Sequence, residues 1–150
     1  MSKTITSQTT IAAPPDQVWD VLVDFGSYPE WNPFVTSILG DLRQGARLAV
    51  RITPAGGKGM AFSPVVTELR DAAVLEWQGH LLIPGIFDGR HRFELTPNGD
   101  GTTSFVQSET FSGVTIPFVG SMLEDTRRGF EAFNAAIKAR SERACAQRGN

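Results

Sequence analysis

The chain has 150 residues, of which 41% are hydrophobic and 20% are charged, and this composition favours one globular domain over residues 1–150. Its formal net charge of -2 supplies no basic surface for nucleic acid or for an anionic membrane. No apolar run approaches the ~18 residues of a membrane span and the first residues lack a signal-peptide pattern, so we expect a cytoplasmic protein.

The first elements are predicted to be a strand and two short helices. Residues 3–12 alternate as a β-strand does, until two prolines end the pattern. The next segment, PPDQVWDVLVDFG at 14–26, has apolar residues at helical spacing and predicts a short amphipathic helix. The segment SYPEWNPF at 27–34 is too rich in proline for a long helix and predicts a single helical turn.

Six further strands and one long helix are predicted next. The strands lie at residues 35–40, 46–53, 60–70, 74–81, 86–96 and 102–112. Over the last 30 residues, apolar side chains recur at three, four or seven positions and predict one amphipathic helix, in which Gly129 is a weak point. Short turns indicate an antiparallel sheet, and only this helix is large enough to cover its apolar face. We therefore predict an α+β fold.

The hairpin formed by the last two strands gathers polar groups on an aromatic face. The segment PNGDG is a turn signal, and a hairpin centred on Gly99 would place His91 opposite Gln107. It would also place Glu109 opposite Gly89, diagonal to His91 and with free space beside the carboxylate. A slip of one residue would set aromatic side chains beside charged ones, so the pattern favours this register.

The polar groups on that face have three open interpretations. An unpaired charge in a dry core is costly, so such groups form a satisfied polar layer, anchor a ligand, or act as an acid/base pair. Burial would raise the pKa of Glu109 and a protonated His91 would lower it, so the charge states are not predicted. The residues expected on this face are Phe87, His91, Phe93, Gln107, Glu109 and Phe111.

Neither a metal nor another cofactor is expected. Cys145 is the only cysteine, and with two histidines it cannot supply a site rich in His and Cys. The connections at 54–59, 82–85 and 113–120 should meet at one end of the sheet, and the last two are unusually apolar. They are interpreted as a ligand mouth, a partner-binding rim or ordinary packing.

Several segments together resemble one known superfamily. They are PPDQVWDVLVDFGSYPEWNPFV, the strand ending LEWQGH, and HRFELTP followed by FVQSETFSG. Over nearly the whole chain they resemble the START-like superfamily, specifically its polyketide cyclase/dehydrase-like branch. The resemblance implies a helix-grip fold, with two short helices between strands one and two. In this fold a curved seven-stranded antiparallel sheet wraps around the long carboxy-terminal helix and encloses an apolar cavity.

The resemblance also implies which side chains line the cavity. They are Trp31 and Phe34 from the short helical segment, and Leu123, Arg127 and Phe130 from the long helix. From strand alternation, Trp77 shares a face with Leu75 and Leu81, and we expect it at the ligand as well. Packing in the core is the alternative for each tryptophan.

Three functions remain open, because members of the superfamily range from lipid carriers to cyclases. The leading hypothesis is the binding of a small hydrophobic molecule, lipid-like or aromatic, whose polar end is oriented by His91, Gln107, Glu109 and Arg127. The second is a polyketide cyclase or dehydratase-like enzyme in which His91 and Glu109 transfer protons. The third is a protein-interaction module using the apolar loops, and a homodimer through the sheet edge or mouth is also considered.

Overall fold

A computed structural model describes residues 2–54, 59–81, 87–113 and 120–148. The helices of this part are α1 (Pro15–Val23), α2 (Tyr28–Trp31) and α3 (Gly120–Arg148), with a 3-10 turn at Phe25–Ser27. The strands are β1 (Ser2–Ile11), β2 (Val35–Leu39), β3 (Ala49–Ile52), β4 (Met60–Phe62), β5 (Val65–Arg70), β6 (Val74–Leu81), β7 (Phe87–Pro97) and β8 (Thr103–Ser112). The α+β class and the order of elements are as predicted.

The strands form two antiparallel sheets in the described part of the chain. One has the order β1-β8-β7-β6-β5 and the other β2-β3-β4. Backbone hydrogen bonds join them where the segment before β3 meets β5: Leu48 N donates to Pro64 O and Val66 N to Ala46 O, at 2.8 and 2.9 Å. The two sheets thus continue one another around α3, which contacts β1 and α1.

The count of strands differs from the prediction of seven. Residues 60–70 were expected to form one strand, but the structure divides them into β4 and β5 around Pro64. Proline has no N–H to donate to a neighbouring strand, so the hydrogen-bonded ladder is interrupted there. The predicted strand at 46–53 divides in the same way, because its first residues pair with β5 and the rest with β2 and β4.

The register of the β7–β8 hairpin also differs from the prediction, by two residues. His91 lies directly opposite Glu109, and Phe93 lies opposite Gln107. The turn is centred on Asp100, whose carboxylate accepts hydrogen bonds from the Thr102 N–H at 3.0 Å and its hydroxyl at 2.6 Å. A shift of two residues leaves every side chain on its predicted face, because the period of a strand is two.

The core lies between the sheet and α3. Phe130, Phe133 and Ile137 of α3 are fully buried, and Phe93 and Phe105 face them from the hairpin. Glu142 attaches α3 to the segment after β1. Its carboxylate accepts hydrogen bonds from the Ala12 N–H and from the Lys138 ammonium group. No helix in the described residues is both long and apolar enough to cross a bilayer.

Short-range contacts place the segment between α1 and β2. Pro15 opens α1, whose buried side chains include Val18 and Leu22. The Tyr28 hydroxyl donates to the Leu22 carbonyl oxygen at 2.5 Å, which holds α2 against the end of α1. Asn32 then accepts from the N–H groups of Phe34 and Val35 at 3.0 and 2.9 Å. These two hydrogen bonds fix the backbone so that the Phe34 side chain packs against Phe130 of α3.

Candidate functional site

A cavity lies between α3 and the concave side of the sheet. Its volume is about 60 Å³, well below the roughly 300–1,000 Å³ of pockets that enclose drug-sized ligands. In this conformation it has room for the polar end of a molecule, and a larger guest would require its walls to move apart. The lining consists of Phe34, Val35, Ile52, Met60, Phe62, Trp77, Gly79, His80, Gly89, His91, Glu109, Phe111, Met122, Thr126 and Phe130.

Glu109 is the carboxylate of this lining and it meets His91 across the β7–β8 pair. Glu109 Oε2 lies 3.4 Å from His91 Nδ1, and the two side chains are only 16% and 6% exposed. Despite this contact, Glu109 Oε2 is buried without a hydrogen-bond partner in the described residues. A buried carboxyl oxygen in this state can accept a hydrogen bond from a guest in the cavity.

On its other side, His91 is held by a chain of buried amides. Its Nε2 lies 3.0 Å from Gln107 Oε1, and Gln107 Nε2 donates to Asn134 Oδ1 at 2.7 Å. Asn134 Nδ2 in turn donates to the Ser7 hydroxyl at 2.8 Å. Because Gln107 presents its carbonyl oxygen to the ring, the proton of a neutral His91 lies on Nε2. The bare Nδ1 then faces Glu109.

Burial shifts both titrating groups of the pair toward their neutral forms. It lowers the pKa of His91 to about 4, against which the hydrogen bond to Gln107 acts weakly. It raises the pKa of Glu109 to about 8. Near neutral pH the pair therefore holds its proton on the Glu109 carboxyl, which can donate it to His91 Nδ1 or to a guest.

Two glycines lie in the cavity lining, and one of them makes room for this carboxyl. Gly79 of β6 and Gly89 of β7 pair across the sheet and both line the cavity. A methyl group on Gly89 would lie 3.1 Å from Glu109 Oε1, and one on Gly79 would lie 3.1 Å from the Phe62 ring. Gly89 therefore leaves room for the Glu109 carboxyl as predicted, although it lies opposite Phe111 and not opposite Glu109.

The structure places six of the predicted site residues around the cavity and five elsewhere. Those lining it are Phe34, Trp77, His91, Glu109, Phe111 and Phe130. Phe93 and Gln107 are fully buried behind His91, where Phe93 stacks on the imidazole with ring centres 4.3 Å apart. Trp31 packs against Tyr28 and Phe133 instead. Whether any of these residues contacts a ligand stays a prediction.

Arg127 and Leu123 were expected at the cavity, but neither is among its lining. The Arg127 side chain is 45% exposed and lies 3.7 Å from Glu124. The face of α3 turned to the cavity carries Met122, Thr126 and Phe130. Arg127 follows Thr126 directly, so its side chain leaves the helix about 100° away from that face. The side chain of Phe87 and the connecting segments at 55–58, 82–86 and 114–119 lie outside the described residues.

Several residues of the site were not assigned to it from the sequence. Met122 and Thr126 belong to the same helical stripe as Phe130, so their spacing carried the signal. Asn134 follows Phe130 by four residues, so it is a polar side chain in an apolar stripe. That position was the signal for a buried polar partner, which in the structure is Ser7 of β1. In the described part no group of three or more His, Cys, Asp or Glu side chains is arranged to hold a metal.

Comparison with known proteins agrees with this architecture. Residues 2–142 match the family model described as polyketide cyclase / dehydrase and lipid transport. The chain belongs to this family. No curated protein was found to match it in sequence.

Two solved structures show the same fold. The Zhui aromatase/cyclase from Streptomyces sp. R1128 superposes with a TM-score of 0.79 at 20% identity, covering 95% of each chain. A START superfamily protein from Mycobacterium smegmatis has a TM-score of 0.73 at 20% identity, over 94% of this chain and 98% of that one. These likenesses establish the helix-grip fold of this family member.

Proposed function

We propose that this protein binds a small hydrophobic molecule in the cavity between α3 and the sheet. The observation that carries the proposal is the buried Glu109 carboxyl, whose Oε2 has no hydrogen-bond partner in the described part of the chain, in a wall that is otherwise largely aromatic and aliphatic. Apolar walls supply affinity at roughly 25 cal/mol per Å² of buried area, and a few polar groups orient the guest. Membership of a family associated with lipid transport and polyketide cyclisation supports the same function.

A blocking substitution tests this proposal. Thr126→Trp would fill the cavity, whereas Arg128→Trp places the same side chain on an exposed position of α3. We expect mass spectrometry of small molecules extracted from the purified protein to detect a reproducible guest in the wild type and in Arg128→Trp, and to detect none in Thr126→Trp. The same guest in both variants would contradict binding in this cavity, provided that circular dichroism shows both to be folded.

The second candidate is an enzyme that moves protons. The contact between His91 Nδ1 and Glu109 Oε2, with opposite pKa shifts, supports it because such a pair can exchange one proton with a substrate. Once a substrate is known, loss of turnover in His91→Ala or Glu109→Gln with retained binding would support chemistry. Full activity in both variants would contradict it.

A further inference from the structure

We propose that the molecule held in this cavity is an organic cation, a small amine with an apolar body whose ammonium group lies against the Glu109 carboxylate. This inference rests on the proposed function and names its ligand class. It concerns the balance of charge in the lining, which neither the family nor the fold specifies.

The charged groups of the lining disfavour an anionic guest. Among its described residues there is one carboxyl group, that of Glu109, and neither a lysine nor an arginine, and the second histidine, His80, is exposed. His91 is neutral because the effect of its burial outweighs that of the hydrogen bond to Gln107, which acts in the opposite direction. Arg127 lies outside the lining and pairs with Glu124. An anionic guest would therefore be buried without a positive counter-charge from a lysine, an arginine or His91, which is strongly unfavourable.

The aromatic side chains of the lining also favour a cation. Besides the two histidines, the described lining contains Phe34, Phe62, Trp77, Phe111 and Phe130. The negative faces of such rings attract a cation, and rings combined with a carboxylate are the arrangement that recognises ammonium groups. Tryptophan gives the strongest attraction of this kind, and Trp77 of β6 belongs to this lining.

The Glu109 carboxyl group also has free hydrogen-bonding capacity. Its Oε2 has no hydrogen-bond partner among the described residues, and Gly89 has no side chain that would crowd Oε1. A protonated primary amine offers three donors and can satisfy both oxygens together, whereas a hydroxyl group offers one. Pairing with an ammonium group also stabilises the ionised carboxylate, which burial alone disfavours.

Three probes of similar size separate the ligand classes. Phenethylamine is a cation, phenethyl alcohol is neutral and phenylacetate is an anion near neutral pH, and each carries one ring on a short chain. By isothermal titration of the full chain we expect phenethylamine to bind about tenfold or more tightly than the alcohol, and phenylacetate to bind least. In Glu109→Gln the amine should lose this advantage, while the alcohol changes little.

The controls distinguish failure of this inference from failure of the proposed function. Glu124→Gln removes an exposed carboxylate of α3 outside the cavity and should leave all three affinities unchanged. Three outcomes would overturn the proposal of an organic cation without contradicting a binding cavity. They are equal affinities for the three probes, a preference for phenylacetate, and tight amine binding that is retained in Glu109→Gln. No detectable binding of any probe to the folded wild type, with no heat evolved, would overturn both.

Discussion

Glu109 and His91 carry opposite contributions to the pH dependence of stability. The pKa of Glu109 is raised by burial to about 8 from 4.5. Between these values the unfolded chain has already released a proton that the folded chain retains, so rising pH lowers the free energy of unfolding. Burial lowers the pKa of His91 to about 4 from 6.5, so stability is lost there as the pH falls.

Glu109→Gln should therefore gain stability relative to the wild type as the pH rises. The amide has a similar shape and cannot ionise, so the difference in unfolding free energy should grow between about pH 5 and about pH 8 and then level off. Thermal or urea unfolding at several pH values measures this difference. Glu131→Gln, an exposed position of α3, serves as the control. Parallel pH profiles for Glu109→Gln and the wild type would show that Glu109 does not retain its proton on folding.

Strand alternation predicted these two residues on one inward face, but it could not predict how close they are. The assumed turn centre, Gly99, made them diagonal neighbours, whereas the turn around Asp100 makes them direct partners. Turn length depends on side-chain hydrogen bonds such as those between Asp100 and Thr102, which hydrophobic patterning does not predict. The prediction was thus right for the face and wrong for the register.

The contact between α3 and the segment before β2 depends on a residue without a side chain. Gly129 lies against the Phe34 ring, which also lines the cavity. An added Cβ would contact Cδ1 and Cε1 of that ring and lie 2.7 Å from Cγ. Gly129, predicted as a weak point of the helix, is therefore the residue that lets α3 approach Phe34 closely.

Gly129→Ala should destabilise the protein although alanine favours helices. The helical preference alone would add about 1 kcal/mol of stability, but displacing a buried phenylalanine costs about 1–3 kcal/mol. Urea unfolding measures the net loss, and the displaced ring should also narrow the cavity. Gly120→Ala, on the same helix with no atom of the described residues within 4 Å of the added Cβ, should not destabilise it. Equal stability of Gly129→Ala and the wild type would contradict this contact.

The sequence predicted the helix α3 correctly, but it did not predict which side of the helix faces the cavity. Apolar spacing indicated a helix over the last 30 residues, and the structure has one at Gly120–Arg148. The stripe of α3 is broad, however, and periodicity alone does not say which edge of a stripe meets the sheet. Only packing against the core decided that Thr126 faces the cavity and Arg127 does not.

The molecule as a whole depends on the attachment of α3 to the start of the chain. Glu142 accepts hydrogen bonds from Ala12 N at 2.8 Å and from Lys138 Nζ at 2.5 Å, and Lys138 also donates to the Thr10 carbonyl oxygen at 2.8 Å. The Ala12 N–H and then Lys138 lower the pKa of Glu142. The bonds to Ala12 and Thr10 join residues 130 and 128 positions apart in sequence and secure the helix over the sheet.

Glu142→Ala should loosen this attachment. We expect a loss of about 1 kcal/mol in unfolding free energy, because one hydrogen bond to the backbone and one ion pair disappear. Since the pKa of Glu142 is lowered in the folded state, this contribution is present above the unfolded pKa and should vanish as the pH falls through the folded one. Urea unfolding at neutral and acidic pH measures it, with Glu131→Ala as the exposed control. An equal loss at both pH values would contradict the assigned ionic role.

The sequence by itself determined the class of fold, the order of its elements and the face on which His91 and Glu109 lie. These properties follow from periods of two and 3.6 residues, which the backbone imposes locally. Only the tertiary structure decided the break at Pro64, the register of the hairpin, the outward position of Arg127 and the link from His91 through Gln107 to Asn134. Each of these depends on contacts between residues distant in sequence. The tertiary structure also decided the charge states of His91 and Glu109, because both side chains lose contact with water only once α3 covers the sheet.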